Sequence, residues 1–411
     1  MKILKLILPL LLFISSVGFA QGDLNEYLSI AAENNPALKA KFSQYMAAVQ
    51  QIDQVDALPD PQVTFGYFVS PVETRVGAQQ FKISLTQKFP WFGKLDARAD
   101  SKAKSAQIRL KEFDALKYKL IYDVKKICYN IYINRKEVKL VSEQMMFYQA
   151  LESLIETKYQ SGKTGLADLM RIRIKLNDFQ NKLDDLNSAL LPLQADFNKL
   201  LSRPESDKVN VSEDITLDIL EDDSSVRDSI LANNANLSVM HQQKEAALSQ
   251  IESSKLESYP DIAFGLDYAM VTERPDIVMV DNGKDILMPM LSMNIPLFSS
   301  KYDAKVQEYE YQSEMIDYQI QDYQNKLSAD YQRIITDKQN SLRNIKYLER
   351  QIKESYDVLE ILYTEYSTKG NNYLDLIMQK EQIIVYEYKL ELEKVRVNLS
   401  DALIDMLNSK N

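Results

Sequence analysis

Cysteine, histidine and tryptophan occur once each, at Cys128, His241 and Trp91. Glycine occurs only 10 times, where ordinary usage of about 7% would place roughly 29 in a chain of this length. Each scarcity excludes something. One cysteine forbids an intrachain disulfide. A lone histidine and a lone cysteine leave no metal-ligand or thiol cluster, and no nucleophile–base pair or phosphate loop is visible, so an enzyme is the weakest reading. Few glycines leave few places where a helix must stop. With a net charge of -10 the chain lacks the basic footprint that phosphate binding requires. Beyond the first twenty residues there is no run of eighteen apolar residues, so no membrane helix is expected. What remains is a chain of 411 residues, long enough for a sizeable core and carrying 24 tyrosines.

Residues 1–20, MKILKLILPLLLFISSVGFA, place Lys2 and Lys5 ahead of an apolar run that ends small-x-small at Gly18-Phe19-Ala20. They read as a secretory signal cut after Ala20. The exported chain then loses two lysines, and with no cysteine behind the signal an amino-terminal lipid anchor is not expected. Glycine and proline gather at Pro59–Gly93, Gly162 and Gly165, Pro192 and Pro204, Pro260–Pro296, and Gly370. Between them, 96–161 and 303–369 hold neither residue and are expected as near-continuous helices, each about 100 Å long at 1.5 Å per residue. From Leu169 the apolar series Ile172, Leu176, Phe179, Leu183, Leu186, Leu190, Leu193, Phe197, Leu200 steps by three and four, the seam of a left-handed coiled coil. A looser series runs from Phe113 through Leu116, Leu120, Val124, Ile127, Ile131, Val138, Val141 and Met145 to Tyr148.

Two regions keep a strand period of two instead. Val63, Phe65, Tyr67 and Val69 alternate with Gln62, Thr64, Gly66 and Phe68. QQFKISLTQKF, DIAFGLDYAMVT and ILMPMLSMNIPLF continue the pattern, giving expected strands at 62–69, 79–89, 261–272 and 285–297, each near the length of a membrane-spanning strand. The chain is also duplicated. AENNPALKAKF is echoed by LANNANLSVMH, PQVTFG by PDIAFG, FPWFGKLDAR by IPLFSSKYDAK, and YQSGKTGLADL by YSTKGNNYLDL. The organisation is therefore a signal (1–20), N-terminal helices (21–58), a first strand hairpin (59–93), a long helical hairpin with its tip near 162–166 (94–201) and a connecting segment (202–228). The second half follows with a helix (229–259), a second strand hairpin (260–298) and a second helical hairpin with its tip near 369–373 (299–411). Four strands cannot close a membrane barrel, so several copies are needed.

Pro90-Trp91-Phe92-Gly93-Lys94 at the strand-to-helix passage, Gly162 with Leu166–Leu169, and Gly370 with Leu374–Leu376, in that order across a duplicated chain, resemble the TolC-type outer-membrane efflux channels, or outer membrane factors. The resemblance covers essentially the whole exported chain. It implies a mainly α fold with a small β part: duplicated long helical hairpins forming a periplasmic coiled-coil tunnel, and four membrane strands per chain that close a 12-stranded β-barrel in a homotrimer. It implies an outer-membrane location in a Gram-negative cell and contact with outer-membrane lipid. It further implies a periplasmic adaptor docked at Gly162, Gly165, Gly370 and Asn371, and an inner-membrane pump. FPWFGK is similar to the branch serving heavy-metal and drug pumps of the resistance-nodulation-division type. The alternatives are the outer-membrane component of type I protein secretion and a periplasmic coiled-coil tether; the tether leaves the strand hairpins and the duplication unexplained.

For single residues the expectations are these. Trp91 and Phe92 are membrane-interface anchors. Asp168 and Asp375, each just past a glycine-bearing turn, are either first-turn partners of the helix dipole or carboxylates lining the pore constriction. Arg171 is an intrachain partner for Asp168, and closure rests on contacts of Arg171, Tyr159 and Tyr366. Cys128 is a small packed residue, His241 a surface helix position, and Glu221-Asp222-Asp223 a solvated loop. Met288, Met290 and Met293 share one strand, and thioethers there would hold a soft metal only by converging in space. No cofactor is expected.

Overall fold

The computed structural model describes residues 22–212, 214–217, 224–276, 278–369 and 373–410. Its elements are α1 (Gly22–Asn34), α2 (Pro36–Asp56), β1 (Gln62–Thr74), β2 (Gly77–Phe89), α3 (Lys94–Gln160), α4 (Leu166–Leu201), α5 (Ser224–Asn233), α6 (Ala235–Glu257), β3 (Asp261–Thr272), β4 (Ile286–Asn294), α7 (Ser300–Lys369) and α8 (Tyr373–Leu407). They fall into two compact units. One comprises the residues up to Leu38, Leu116–Ala232 and the chain from Leu327; the other comprises Lys39–Ala115 and Asn233–Lys326. The leader at 1–20, the acidic run Glu221-Asp222-Asp223, and Gly370 and Asn371 lie outside the described residues.

The long helices are continuous because nothing in them interrupts hydrogen bonding. Helix α3 runs 67 residues and α7 runs 70. Asp96 in the first turn of α3 and Lys158 in its last oppose the helix dipole. At the far end Gly162 takes φ +72°. Its N–H reaches the Tyr159 carbonyl at 2.9 Å while Lys163 N–H reaches the Lys158 carbonyl at 2.8 Å, the paired bonds of a Schellman stop. In α4 every member of the three-and-four series is buried or half-buried, from Leu169 to Leu200, and the series passes Pro192 without a break in the helix. Cys128 is buried on α3 beside Val124 and Ile131, and His241 is exposed on α6.

Three expectations shift. Segment 229–259 is two helices: Asn234 leaves helical geometry and its side chain accepts from the N–H groups of Asn236 and Leu237, capping α6. Strand β1 continues to Thr74, past the expected end at residue 69, by breaking register with β2 between Tyr67 and Val72, around Pro71. Strand β4 ends at Asn294, short of residue 297, ahead of Pro296.

The four strands form one antiparallel sheet in the order β1-β2-β3-β4, so β1 and β4 are its edges. Register sorts the side chains by chemistry. One face carries Phe65, Ile83, Tyr268 and Leu287 along one row, and Val63, Leu85, Leu266 and Pro289 along the next. The other face carries Thr64, Ser84, Asp267 and Met288, then Gln62, Thr86, Gly265 and Met290. The apolar face is bare: Phe65 is 68% exposed, Tyr67 72% and Val69 89%.

Gly77 closes the β1–β2 turn at φ +133°, and a Cβ there would sit 1.8 Å from the Thr272 carbonyl oxygen. Gly66 is ordinary, with no atom nearer than 3.9 Å to such a Cβ. Gly77→Ala is therefore expected to destabilise the sheet by roughly 1–3 kcal/mol, the scale of a strained residue at positive φ. Gly66→Ala is expected to leave stability within about 0.5 kcal/mol. Denaturant midpoints of the two variants in detergent test the contrast.

Candidate functional site

Two places gather the sequence-predicted residues, one in each unit. The first surrounds the Schellman turn. Asp168 lies in the opening turn of α4 and its backbone N–H bonds the Gly165 carbonyl at 3.2 Å. Its carboxylate accepts from Thr164 Oγ1 at 2.7 Å and from Arg171 at 3.0 Å. From α8, the buried Tyr373 hydroxyl faces the same carboxylate. It lacks the alignment of a full hydrogen bond, yet it is the largest influence holding the Asp168 carboxyl below its usual range, ahead of Thr164. Burial, then the Asp168 charge, pushes the Tyr373 hydroxyl up to about 12. Lys158 donates to the Tyr366 hydroxyl at 2.6 Å, so Tyr366 is engaged within the chain. Tyr159 and Asp375 are exposed.

Below these polar contacts Tyr148, Leu151 and Ile155 of α3, Leu169 and Ile172 of α4 and Ile377 of α8 form one buried cluster. Beside it opens a cavity of about 300 Å³ whose rim includes Arg171, Ile174, Lys175, Leu374, Met378 and Glu381. Helix α8 is fastened by tyrosine–carboxylate rungs. Tyr148 donates to Glu381 at 2.5 Å, Tyr132 to Glu391 at 2.5 Å and Tyr356 to Glu387 at 2.8 Å. Burial, then the carboxylate, raises each hydroxyl. Thr164 and Tyr373 were not among the predicted residues. Thr164 lies in the turn just ahead of α4, where a hydroxyl can reach a first-turn carboxylate, so its place next to Gly165 was a usable signal. Tyr373 had none, because the repeat aligns it with Leu166.

The second place is the passage from sheet to helix. Trp91 stacks on Tyr259, ring centroids 6.1 Å apart and 15° from parallel, and meets Phe92 edge-on at 6.0 Å. Phe92 is 86% exposed, as Leu297 and Phe298 largely are at the matching point after β4. Lys94 is buried, and its Nζ donates to the Tyr259 carbonyl at 2.7 Å and to Asp261 at 2.6 Å. Lys88 pairs with the other Asp261 oxygen at 2.8 Å. Inside the sheet Lys82 pairs with Asp267. Met288 and Met290 lie on the polar face while Met293, opposite Ile262, lies on the apolar one. The three methionines therefore do not converge. Among the described residues no cluster of His, Cys, Asp or Glu is arranged for a metal, and no helix is long and apolar enough to cross a membrane.

With this geometry in hand, the chain was compared with known proteins. Residues 27–201, the first repeat, match the outer membrane efflux protein family. The match covers less than half of the chain. No curated protein matches the chain by sequence. Among solved structures, CusC superposes with a TM-score of 0.76 at 14% identity, covering 97% of this chain and 95% of its own. VceC of Vibrio cholerae gives 0.74 at 15%, covering 94% and 96%. The open state of the MtrE outer membrane channel of Neisseria gonorrhoeae gives 0.73 at 13%, covering 94% and 88%. At these identities the likeness establishes the fold alone: nearly the whole chain shares the architecture of these channel structures.

Two outcomes follow from this geometry. Lys94→Met removes one of the two cations on Asp261, and breaking so buried a pair should cost on the order of 3 kcal/mol, read from the denaturant midpoint in detergent. The Asp168 carboxyl lies below its unfolded value, so its contribution is fully present above the ordinary aspartate range of about 4 and disappears as pH falls through the folded value. Hydrogen-exchange protection at the start of α4 should accordingly be flat from about pH 8 to 5 and fall only in stronger acid.

Proposed function

We propose that the chain is the outer-membrane exit duct of a tripartite efflux system, passing small molecules or metal cations outward from an inner-membrane pump. The observation that carries this reading is the sheet: one face apolar but for Gln87, the other largely polar, and two unpaired edges. In hydrocarbon an open edge is prohibitive, and a four-stranded sheet is too narrow to close on itself. Three copies supply twelve strands, with the apolar face toward lipid and Thr, Ser, Lys and Asp toward water. Trp91 and Phe92, with Leu297 and Phe298, then lie at the membrane interface. Helices α3 and α7 continue from the strands as the tunnel.

A periplasmic adaptor docks at the turn that includes Gly162 and Gly165 and at its repeat partner around Gly370 and Asn371, with the cavity between α4 and α8 as the adjoining apolar recess. Asp168 and Asp375 set the constriction. Asp375 is the more available of the two, since Asp168 is already bonded by Thr164 and Arg171. Like charges repel, so closure rests on contacts made by Arg171, Tyr159 and Tyr366. The pump selects the cargo, and FPWFGK favours the heavy-metal and drug branch.

Planar-bilayer recording tests the reading. The wild-type protein should conduct in steps and prefer cations, and Asp168→Ala with Asp375→Ala should reduce that preference without opening the channel. Arg171→Ala should raise basal conductance. Unchanged selectivity in the double variant would assign both carboxylates to their helices, and absence from the outer-membrane fraction would overturn the duct.

A further inference from the structure

The cut expected after Ala20 leaves Gln21 as the first residue of the exported chain, followed by Gly22. Glutamine has a chemistry at a chain start that it has nowhere else. The chain's own α-amine can reach the side-chain carboxamide carbon by closing a five-membered ring, and a nucleophile tethered so close has a high effective concentration. An α-amine titrates near 8, so at neutral pH about a tenth of it is in the neutral, nucleophilic form. Gly22 has no side chain to crowd the ring.

Gln21 itself lies one residue outside the described chain, and helix α1 begins directly after it, at Gly22. That helix is anchored within its first two turns. Tyr27 is buried, meets Phe197 edge-on with ring centroids 5.0 Å apart, lies under the Arg203 guanidinium at 5.0 Å, and its hydroxyl accepts from the Asn210 N–H at 3.0 Å. Ala31 is 1% exposed, and the Asn35 side chain donates to the Leu200 carbonyl at 2.9 Å. All of these residues belong to one compact unit. No tail therefore separates the terminal residue from the fold. A free amine on Gln21 would place a positive charge against the first turn of α1, whose unpaired N–H groups already form the positive end of the helix dipole. It would also leave the start of an anchored helix open to an aminopeptidase.

We propose that Gln21 is a modification site, closed to the lactam 5-oxoproline, so that the exported chain begins with an uncharged ring. The neutral α-nitrogen forms a bond to Cδ of its own side chain and the Cδ–Nε2 bond breaks. Nε2 leaves as ammonia, taking the proton that the α-nitrogen gives up. Nothing is oxidised or reduced, and no co-reactant is consumed. The product carries no ammonium at the start of α1 and no primary amine for an aminopeptidase to recognise, so the residues between the terminus and Tyr27 are retained. Cyclisation requires only export with cleavage after Ala20, and so stands apart from the reading of the chain as a duct.

Mass spectrometry of the full-length protein, expressed with its leader in an exporting Gram-negative host, tests the lactam. Amines of the intact purified protein are dimethylated before any digestion, so that a free α-amine is trapped and cannot cyclise afterwards. Cleavage after glutamate then releases Gln21–Glu26, which holds no lysine, so any label on it marks the α-amine. The expected fragment is unlabelled and lighter than its sequence by about 17 Da, the mass of one ammonia. A dimethylated fragment of full mass would overturn the lactam while export and cleavage stand, and a first residue other than Gln21 would overturn the cleavage site with it. The effect on the helix is read from Gln21→Ala, which cannot cyclise. At pH 7 the amides of the second turn of α1 should exchange about two- to five-fold faster than in the wild type. Protection factors in the variant should recover as pH rises through the amine's range near 8, while those of the wild type stay flat. Equal and pH-independent protection in the two proteins would overturn the part assigned to the ring at α1.

Discussion

In hydrocarbon a backbone N–H or C=O without a partner costs several kcal/mol, and this sheet has two edges full of them. The rest of the structure answers that constraint. On the proposed reading the sheet is apolar on one face only because the other face meets water, and only four strands wide because further copies supply the rest. Both edge strands carry a proline, Pro71 in β1 and Pro289 in β4, while β2 and β3 carry none. Proline is tolerated at an edge and discourages indiscriminate edge pairing.

The helices solve a different problem. Having almost no glycine or proline, they keep their backbone bonds internal and need only side-chain seams to pack. Leucine and isoleucine supply the seam of α4, and tyrosine–glutamate rungs position α8 laterally. Such rungs are directional where leucine packing is not, and they fix which helix faces which neighbour. At the sheet–helix passage the same role falls to Lys94 and Asp261, which belong to different repeats and so lock the two halves of the chain together.

Much of this was legible in the sequence because it depends on spacing along one segment. The absence of Gly and Pro marks α3 and α7, alternation marks four strands, and steps of three and four mark the face of α4 that is buried. Less legible were features set by a single side chain or by a partner outside the segment. The extension of β1 past Pro71 depends on β2 accommodating an irregularity. The break at Asn234 depends on one side chain capping its own helix within a segment that otherwise reads as helical. Lys94 entered only as the end of the Pro90–Lys94 passage, and it is the arrival of Tyr259 and Asp261 that makes it a buried cation. Tyr373 faces Asp168 although some two hundred residues separate them, which no local pattern encodes. At the tip, the acids were found by analogy between repeats, and the structure adds that the two are unequal: one is bonded, the other exposed.

The pairing of β2 with β3 also has a consequence in time. Roughly 170 residues separate the two strands, which at ribosomal rates is about ten to thirty seconds of synthesis. Until β3 has been made, β2 has no partner on its inner edge, and the cluster beneath α4 still lacks Ile377 of α8, so neither the sheet nor the core near the tip is complete before the second repeat arrives.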